Sequence, residues 1–330
     1  MKRNLIFFTF FFFVTVFSQT LHFTKEKLDQ LNHFNQENKS RAFMIYKDGK
    51  LINETYFGTK ILNKQPFDEN SNWYWASAGK SLTAVLIGIA QQEHLLNIND
   101  SVSKYLGKWT SLKKEDEDKI TIKYLLTMTS GLDYTKDQNC QSNNCFVYKN
   151  AAGSFWYYDT PAYSQLAKVI EKVTHQSMDQ YTAEKLSDVG ISGKWIQYDN
   201  GLVFSSTAKS FLQFGKLVLN KGKLNGKTGY TYDDYFQQMT NTSQQYNSSY
   251  GYLWWLNGKS TSKVPGMEMS FDQSLVPDAP KDMFCALGKN GQILDIIPGQ
   301  NLIILRMGEN PSAFQNVILF HRDLWREILK

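Results

Sequence analysis

The feature that most constrains the fold is a nearly unbroken apolar run at residues 82–90, L-T-A-V-L-I-G-I-A. It predicts a helix that is apolar on every side, and such a helix has to be buried in a core. Ser77 and Lys80 stand at its start, three residues apart. Residues with this spacing on a helix have Cβ atoms about 5 to 6 Å apart, so the Lys80 amine can reach the Ser77 hydroxyl.

This pair can act as a serine nucleophile and its base. A serine hydroxyl is a weak nucleophile that needs an adjacent base. Lysine is a base only when neutral, and burial lowers its pKa from about 10.4 towards about 7 to 8. The apolar run is therefore part of the predicted chemistry, and Ser77 and Lys80 are candidate catalytic residues.

The spacing S-x-x-K alone is not specific, because the chain repeats it. It also occurs at Ser101/Lys104, Ser111/Lys114, Ser206/Lys209 and Ser260/Lys263. Three of these pairs lie in polar, turn-rich stretches, and Lys209 is expected on the solvated face of a mixed helix. Only Ser77 leads into a helix that is apolar all round. The context therefore favours a nucleophile over an ordinary surface serine.

The N-terminus has the pattern of an export signal. Lys2 and Arg3 precede an apolar, phenylalanine-rich run at residues 5–17, and Ser18 fits a small-residue cleavage site. Residues 1–18 are therefore predicted to be a signal peptide, which implies a periplasmic or secreted protein. The alternative is a membrane anchor, although a span needs roughly 20 apolar residues. No later stretch is long and apolar enough to span a bilayer.

The charge, the cysteines and the histidines limit which ligands and bonds the sequence predicts. The chain has 36 basic and 31 acidic residues, a net charge of +5, which does not indicate nucleic acid. In an exported protein Cys140 and Cys145 can close a small disulfide loop. Cys285 lies in an apolar strand pattern and is predicted to be a buried free thiol. The five histidines are scattered without ligand spacing, so no metal site is predicted.

Strand patterns cluster at the two ends of the chain. A helix is predicted at residues 23–38, and Asp48-Gly49 between two apolar runs predicts a hairpin over residues 43–57. Residues 283–287, 293–297 and 302–307 predict three more strands, with Asn290-Gly291 in one turn. Residues 313–329 have helical apolar spacing, with Ser312 as the N-cap.

The simplest assembly of these elements is an α+β fold. It has one antiparallel sheet of about five strands, covered by the first and last helices, with a large, mostly helical insertion as a second lobe. Residues 19–330 then form one domain, with an α/β lobe at 23–76 and 265–330 and a helical lobe at 77–264. Ser77 lies where the two lobes meet, a usual place for a small-molecule cleft.

Several segments, in this order, resemble a known family. They are W-A-S-A-G-K at 75–80, the stretches at 95–106 and 122–132, G-S-F-W-Y-Y at 153–158, Y-G-Y-L-W-W at 250–255, and G-K-N-G-Q at 288–292. Together they are similar to the serine beta-lactamase-like hydrolases, in the branch near class C enzymes, esterases and 6-aminohexanoate-oligomer hydrolases. These proteins have the penicillin-binding-protein-like fold.

The resemblance implies roles for further residues. Tyr158 matches the tyrosine of the family's Y-x-N element, which exchanges protons with the nucleophile and the leaving group. Tyr157 is the candidate if the register slips by one. Thr160 stands in place of the asparagine whose amide contacts the substrate in class C lactamases, which favours esters or small amides over beta-lactams.

Two alignments are open for the third element of the family. Aligned on Gly288, the backbone N–H of Lys289 faces the acyl oxygen, and the N–H of Ser77 is the second oxyanion donor. Aligned instead as K-T-G, Lys289-Asn290-Gly291 is the element, and the Lys289 side chain binds a substrate carboxylate. The first is favoured because a strand edge presents a fixed N–H and a turn does not.

The sequence therefore predicts an exported serine hydrolase. It cleaves an ester or amide bond of a small substrate through an acyl-enzyme on Ser77, and it requires no cofactor. The alternatives are a class C-like beta-lactamase, a D-amino-acid peptidase, or a penicillin-binding sensor protein that does not hydrolyse its ligand.

Overall fold

The structure is a computed structural model that describes residues 20–61, 63–136, 142–198, 201–311 and 316–330. The predicted signal peptide at residues 1–18 lies outside this part of the chain, as do Cys140 and Ser312. No helix in the described ranges combines the length and the apolar character that crossing a membrane requires.

The described residues form strands and helices in mixed order. The strands are β1 (Ser40–Lys47), β2 (Lys50–Tyr56), β3 (Asn72–Tyr74), β4 (Lys194–Tyr198), β5 (Gly201–Thr207), β6 (Lys223–Leu224), β7 (Lys227–Thr228), β8 (Trp255–Leu256), β9 (Phe284–Gly288), β10 (Gln292–Ile297) and β11 (Leu302–Gly308). The α-helices are α1 (Lys25–Glu37), α2 (Gly79–Gln92), α3 (Val102–Leu106), α4 (Lys114–Glu117), α5 (Ile122–Leu126), α6 (Thr160–Thr174), α7 (Met178–Leu186), α8 (Ala208–Leu219), α9 (Asp234–Met239) and α10 (Val317–Leu329). Short 3₁₀ helices lie at Ala76–Ala78, Asn143–Cys145, Ser187–Val189 and Pro298–Gln300.

The main sheet has six antiparallel strands in the order β2-β1-β11-β10-β9-β8. β1 pairs with β11, with Met44 opposite Leu305, so strands from both ends of the chain form one sheet. The predicted α+β class is confirmed. The sequence-based expectation of about five strands misses β8, which has two residues. A strand this short carries no alternation of apolar and polar residues for a sequence to reveal.

Helices cover both faces of the main sheet. Leu294 and Asp295 of β10 point to opposite faces, because side chains alternate along a strand. On one face, a Cβ added to Gly215 of α8 would lie 2.9 Å from Leu294 Cδ1, so glycine lets α8 approach closely. On the other face, Asp295 accepts a 2.8 Å hydrogen bond from Trp325 Nε1 and pairs with His321 at 2.8 Å, both on α10. α1 contacts α10 and covers the same face.

The middle of the chain is less uniformly helical than its pattern predicts. It contributes β4 and β5 to a second sheet with the order β3-β5-β4, and it forms the small hairpin of β6 and β7. α8 also comes from this segment, yet it packs on the main sheet. An amphipathic pattern shows that one face of a helix is buried, but not which layer buries it. The lobe boundaries at 23–76, 77–264 and 265–330 stay a prediction.

The two terminal helices begin later than predicted. The N-caps are Thr24 for α1 and Asn316 for α10, whose side chains accept hydrogen bonds from Lys27 N at 3.2 Å and Leu319 N at 3.0 Å. The cap of the last helix is thus Asn316, where the sequence favoured Ser312. Both residue types are good caps, so the pattern alone does not separate them.

α2 is the central helix, and the apolar run predicted its burial correctly. Its residues from Gly79 to Ala90 are all buried. A Cβ on Gly88 would lie 2.4 Å from Tyr235 Cε1 of α9, and the Tyr235 hydroxyl donates a 2.6 Å hydrogen bond to the Ala84 carbonyl. This close packing encloses α2, which carries Lys80 in its first turn.

The cysteines fall into two groups. Cys285, in β9, is a free and buried thiol, which confirms the prediction for this residue. Cys145 is disulfide-bonded. Its predicted partner, Cys140, lies outside the described residues.

Breaking the buried pair of Asp295 and His321 should destabilise the fold. Both side chains are fully buried, and removing one partner of a buried pair typically costs about 3–5 kcal/mol. We expect His321→Leu to lower the free energy of unfolding in urea by that amount. Lys25→Ala, which breaks an exposed pair with Asp29, is the control and should leave the free energy of unfolding almost unchanged, because solvent screens exposed pairs. Equal losses of unfolding free energy in the two variants would contradict a structural role for the buried pair.

Candidate active site

Ser77 lies in a sharp turn between β3 and α2. The turn is anchored by Trp75, whose ring stacks on Phe211 with centroids 3.8 Å apart and whose Nε1 donates a 2.8 Å hydrogen bond to Ser206 Oγ. Ala76 has a φ of 48°, in the left-handed region that residues with a Cβ rarely adopt. Packing around Trp75 therefore holds an unfavourable backbone conformation immediately before Ser77.

The competing S-x-x-K pair at Ser206 and Lys209 has a different place in the structure. Ser206 accepts the hydrogen bond from Trp75, and Lys209 forms ion pairs with Glu54 and Glu69 at the surface. Ser206 therefore helps to hold the turn of Ser77, while Lys209 is engaged in ion pairs at the surface.

Lys80 lies one helical turn beyond Ser77 and reaches it directly. Lys80 Nζ lies 3.3 Å from Ser77 Oγ, and the lysine is only 6% exposed. Its Nζ also lies 4.4 Å from the ring centroid of Tyr163 and 5.3 Å from that of Tyr158. Burial lowers the pKa of Lys80 to about 7, although the charge of Asp159 acts in the opposite direction. A substantial fraction of the amine is therefore neutral near pH 7.

Tyr158 is the second polar group beside the serine, so Ser77, Lys80 and Tyr158 form a cluster of three. Its hydroxyl is hydrogen-bonded to Ser77, and burial raises its pKa above the usual range, so it remains a neutral phenol. Its ring stacks on Trp255, with centroids 5.8 Å apart. Tyr157, the alternative candidate, stacks instead on Tyr134, with centroids 3.5 Å apart. The structure thus brings Tyr158, and not Tyr157, to Ser77.

Asp159 is a site residue that the sequence reasoning missed. It is 6% exposed and is the N-cap of α6, where its side chain accepts a 3.2 Å hydrogen bond from Ala162 N. Burial raises its pKa to about 6, while the Ala162 N–H and Lys80 act to lower it. The sequence signal was an Asp directly before Thr160-Pro161, which indicates a helix start. It says nothing about proximity to Lys80.

Gly288 brings the end of β9 against the serine turn. A Cβ at this position would lie 2.3 Å from the Trp75 carbonyl oxygen and 3.1 Å from Ala78 N, so only glycine permits the contact. The next residue, Lys289, borders the same space as Ser77. Its backbone N–H and that of Ser77 are therefore candidate oxyanion donors, whereas its side chain is exposed.

The residues after Gly288 form a turn anchored from inside the fold. Asn290 and Gly291 have φ values of 66° and 75°. The buried Arg306 donates hydrogen bonds to their carbonyls, at 2.6 Å and 2.9 Å, and Gln292 Nε2 donates to the Lys289 carbonyl at 3.3 Å. β9 ends at Gly288 and Lys289 lies in the turn, so the N–H of Lys289 is not on the strand edge that the alignment on Gly288 expected. The choice between the two alignments stays a prediction. Gly291 has a structural place in the turn.

Two cavities meet at Ser77. The first has a volume of about 410 Å³ and the second about 500 Å³. Ser77, Lys289 and Asn290 border both cavities. Thr160, where the resemblance implies an asparagine, borders the second together with Lys80. A substrate bound across the serine would therefore extend into two separate spaces.

A group that could hold a metal lies away from both cavities. Cys285, Asp295 and His321 offer ligand atoms within 4.8 Å of one another, and all three residues are buried. They are a set that zinc accepts. The three residues border neither cavity, and their pairing joins α10 to the main sheet. The sequence missed the cluster because its members are separated along the chain.

The burial of Lys80 should destabilise the folded protein near neutral pH. In the unfolded chain this lysine titrates near 10.5, whereas burial lowers its pKa to about 7 in the fold. Between these values the unfolded state binds a proton that the folded state does not, so stability falls as the pH decreases from 10.5 to 7 and the loss is complete below 7. We expect Lys80→Met to raise the free energy of unfolding in urea more at pH 7 than at pH 10. The exposed Lys50→Met is the control, and an increase in Lys80→Met that is the same at both pH values would contradict the burial of a neutral amine.

Known proteins are similar to this chain in sequence or in fold. An uncharacterized protein of Alkalihalophilus pseudofirmus is 24% identical over 298 residues, which cover 80% of this chain and 82% of that protein. A candidate 6-aminohexanoate-dimer hydrolase from Bacillus anthracis has a TM-score of 0.70 at 19% identity, covering 90% of this chain and 81% of its own. EstCE1, a hydrolase with promiscuous acyltransferase activity, has a TM-score of 0.67 at 13% identity, covering 92% and 98%.

These structural matches show a common fold. The sequence match to a family is more direct, because the model of the Beta-lactamase family fits residues 31–309. That range contains all six strands of the main sheet, the turn of Ser77 and the turn after Gly288. The chain therefore belongs to the beta-lactamase family of hydrolases.

Proposed function

We propose that this protein is a serine hydrolase that cleaves an ester or amide bond of a small substrate through an acyl-enzyme on Ser77. The observation that carries the proposal is the contact of Ser77 Oγ with a buried amine, 3.3 Å away, whose pKa burial lowers to about 7. A serine next to such a base has the nucleophile and base that acyl transfer requires.

In the first half-reaction Ser77 attacks the substrate carbonyl. Ser77 Oγ forms a bond to the carbonyl carbon while its proton passes to Lys80 Nζ. The backbone N–H groups of Ser77 and Lys289 donate hydrogen bonds to the resulting oxyanion, and such donors typically contribute a factor of about 100 to 1000 in rate. The bond to the leaving group then breaks, and the departing oxygen or nitrogen takes the proton from Lys80 through the Tyr158 hydroxyl.

In the second half-reaction water releases the acyl group. The water gives a proton to Lys80 as its oxygen attacks the ester carbon on Ser77, and the bond to Ser77 Oγ breaks as the serine regains its proton. Tyr158 suits the role of relay because its raised pKa keeps it protonated. The original serine proton leaves with the departing group and a proton of the water replaces it, so Ser77, Lys80 and Tyr158 end the cycle in their starting protonation states.

Ester and small amide substrates fit better than beta-lactams. Thr160 offers a hydroxyl where the family's element has an amide. Two proteins of similar fold are described as a candidate 6-aminohexanoate-dimer hydrolase and a hydrolase with promiscuous acyltransferase activity. Those names support an amide or ester as the substrate class. Beta-lactam or D-amino-acid peptide turnover is the competing activity.

The proposal includes export through the signal peptide at residues 1–18. The disulfide at Cys145 supports it, because disulfides persist in oxidising compartments outside the cytosol. Mass spectrometry of the protein purified from its host should then find Gln19 as the mature N-terminus.

Replacement of Ser77 should abolish turnover. On a panel of chromogenic esters and amides with nitrocefin included, we expect wild type to cleave at least one ester or amide and Ser77→Ala to lose at least about 1000-fold in kcat/KM. Ser260→Ala, at the exposed serine of another S-x-x-K pair, is the matched control and should keep wild-type rates. Faster turnover of nitrocefin than of every ester and amide would instead favour a beta-lactamase. Binding of an acylating probe without any turnover would favour a sensor.

The rate should follow the ionisation of Lys80. Only the neutral amine accepts the Ser77 proton, so kcat/KM for an ester that does not itself ionise should rise with pH and level off above a pKa near 7. Tyr158→Phe should lower the rate about 100-fold or more and keep the same rising limb, because the base is unchanged. A rate that is constant between pH 5.5 and 8.5 would contradict the role of Lys80.

A further inference from the structure

The two cavities that meet at Ser77 differ in chemical character. The first, which we name the apolar cavity, is bounded by Trp255, Pro265, Leu287, Val317 and Ile318, and its lining also includes Asn290, Asn310 and Asn316. The second has a larger polar share, and we name it the polar cavity: Tyr74, Thr160, Ser164, Tyr198 and Lys80 border it beside the apolar Leu202 and Val203. A substrate whose carbonyl lies at Ser77 therefore contacts a more apolar lining on one side and a more polar lining on the other.

The walls of the apolar cavity are held in place before any substrate binds. Trp255 is packed edge-on against Tyr250, with centroids 4.8 Å apart. Val317 and Ile318 form the first turn of α10, and α10 is joined to β10 by the buried Asp295. A preformed cavity binds an apolar group without the cost of ordering its walls.

The loop that carries Pro265 is tethered as well. Three residues further along, Glu268 accepts hydrogen bonds from the Tyr134 hydroxyl and from Lys149 Nζ, the latter at 3.2 Å. Lys263 Nζ lies 5.1 Å from the ring centroid of Phe155. The loop is thus fixed on both sides of Pro265 to the segment that leads into Tyr158.

From this asymmetry we infer that the physiological substrate carries an apolar group on one side of the scissile carbonyl and a polar group on the other. The inference rests on the proposed function of Ser77. Each methylene that enters the apolar cavity should strengthen binding about fourfold, which corresponds to about 0.8 kcal/mol of transfer free energy.

Alkylboronic acids test the inference because they carry a single chain. Ser77 Oγ adds to the trigonal boron, its proton passes to Lys80 and no group leaves, so the one chain is free to occupy whichever cavity suits it. We expect the Kd, measured by calorimetry, to fall at least 20-fold from methylboronic to hexylboronic acid.

Two matched variants show which cavity the alkyl chain of the boronic acid occupies. Val317→Trp fills the apolar cavity and should remove the gain with chain length, whereas Leu202→Trp, which fills the polar cavity, should keep it. Pro265→Trp, on an exposed part of the loop, is a second variant of the apolar cavity in case Val317→Trp does not fold. Binding of methylboronic acid by each variant reports that Ser77 still reacts.

The remaining outcomes separate the two proposals. A Kd independent of chain length in wild type overturns the inference and leaves the serine mechanism standing. A gain lost in Leu202→Trp and kept in Val317→Trp places the chain in the polar cavity and also overturns it. If no boronic acid of any length binds, Ser77 is not a reactive nucleophile, and the proposed function fails together with the inference.

Discussion

The site depends on keeping the amine of Lys80 out of water. α2 and the rings of Tyr158 and Tyr163 enclose it, and Asp159 stands nearby at the start of α6. Loss of solvent favours the neutral amine, while the carboxyl group of Asp159 favours the ammonium form. Desolvation is the larger effect, so the pKa falls to about 7. The opposing effect of Asp159 is also useful, because a base is most effective when its pKa lies near the working pH. Lys80 and Asp159 thus each shift the pKa of the other.

The second constraint is the close approach of two backbone segments. The N–H groups of Ser77 and Lys289 can face one oxygen only if β9 lies directly against the serine turn, and Gly288 makes that contact possible. The turn after β9 has to be rigid for its N–H to hold a direction. Arg306 gives it that rigidity, since a planar guanidinium inside the fold donates to two successive carbonyls of the turn. Donors fixed in advance stabilise a developing charge without having to reorganise.

The sequence predicted the parts of this site that depend on local spacing. The apolar run before Gln91 predicted a buried helix, and the three-residue spacing of Ser77 and Lys80 predicted their contact. The strand patterns near both termini predicted a single sheet. What it missed depends on tertiary contact. β8 is too short to show a pattern, and α8 has an amphipathic face that fits either layer. Asp159 lies near Lys80, and Arg306 contacts the turn after β9, although the residues of each pair are well separated in the sequence. No local spacing encodes such contacts.

The chemistry and the selectivity of the cleft come from different elements. The groups that set the ionisation of Lys80 belong to α2, to α6 and to the segment that enters it, and Asp159 and Tyr163 among them are buried. The walls of the apolar cavity come instead from α10, from β8 and from the loop of Pro265. A substitution at Val317 can therefore alter which chain fits without changing the surroundings of the amine. This separation explains how one nucleophile and base can operate on different substrates within a shared fold, and it makes the cavity walls, more than the catalytic cluster, the place where substrate choice is decided.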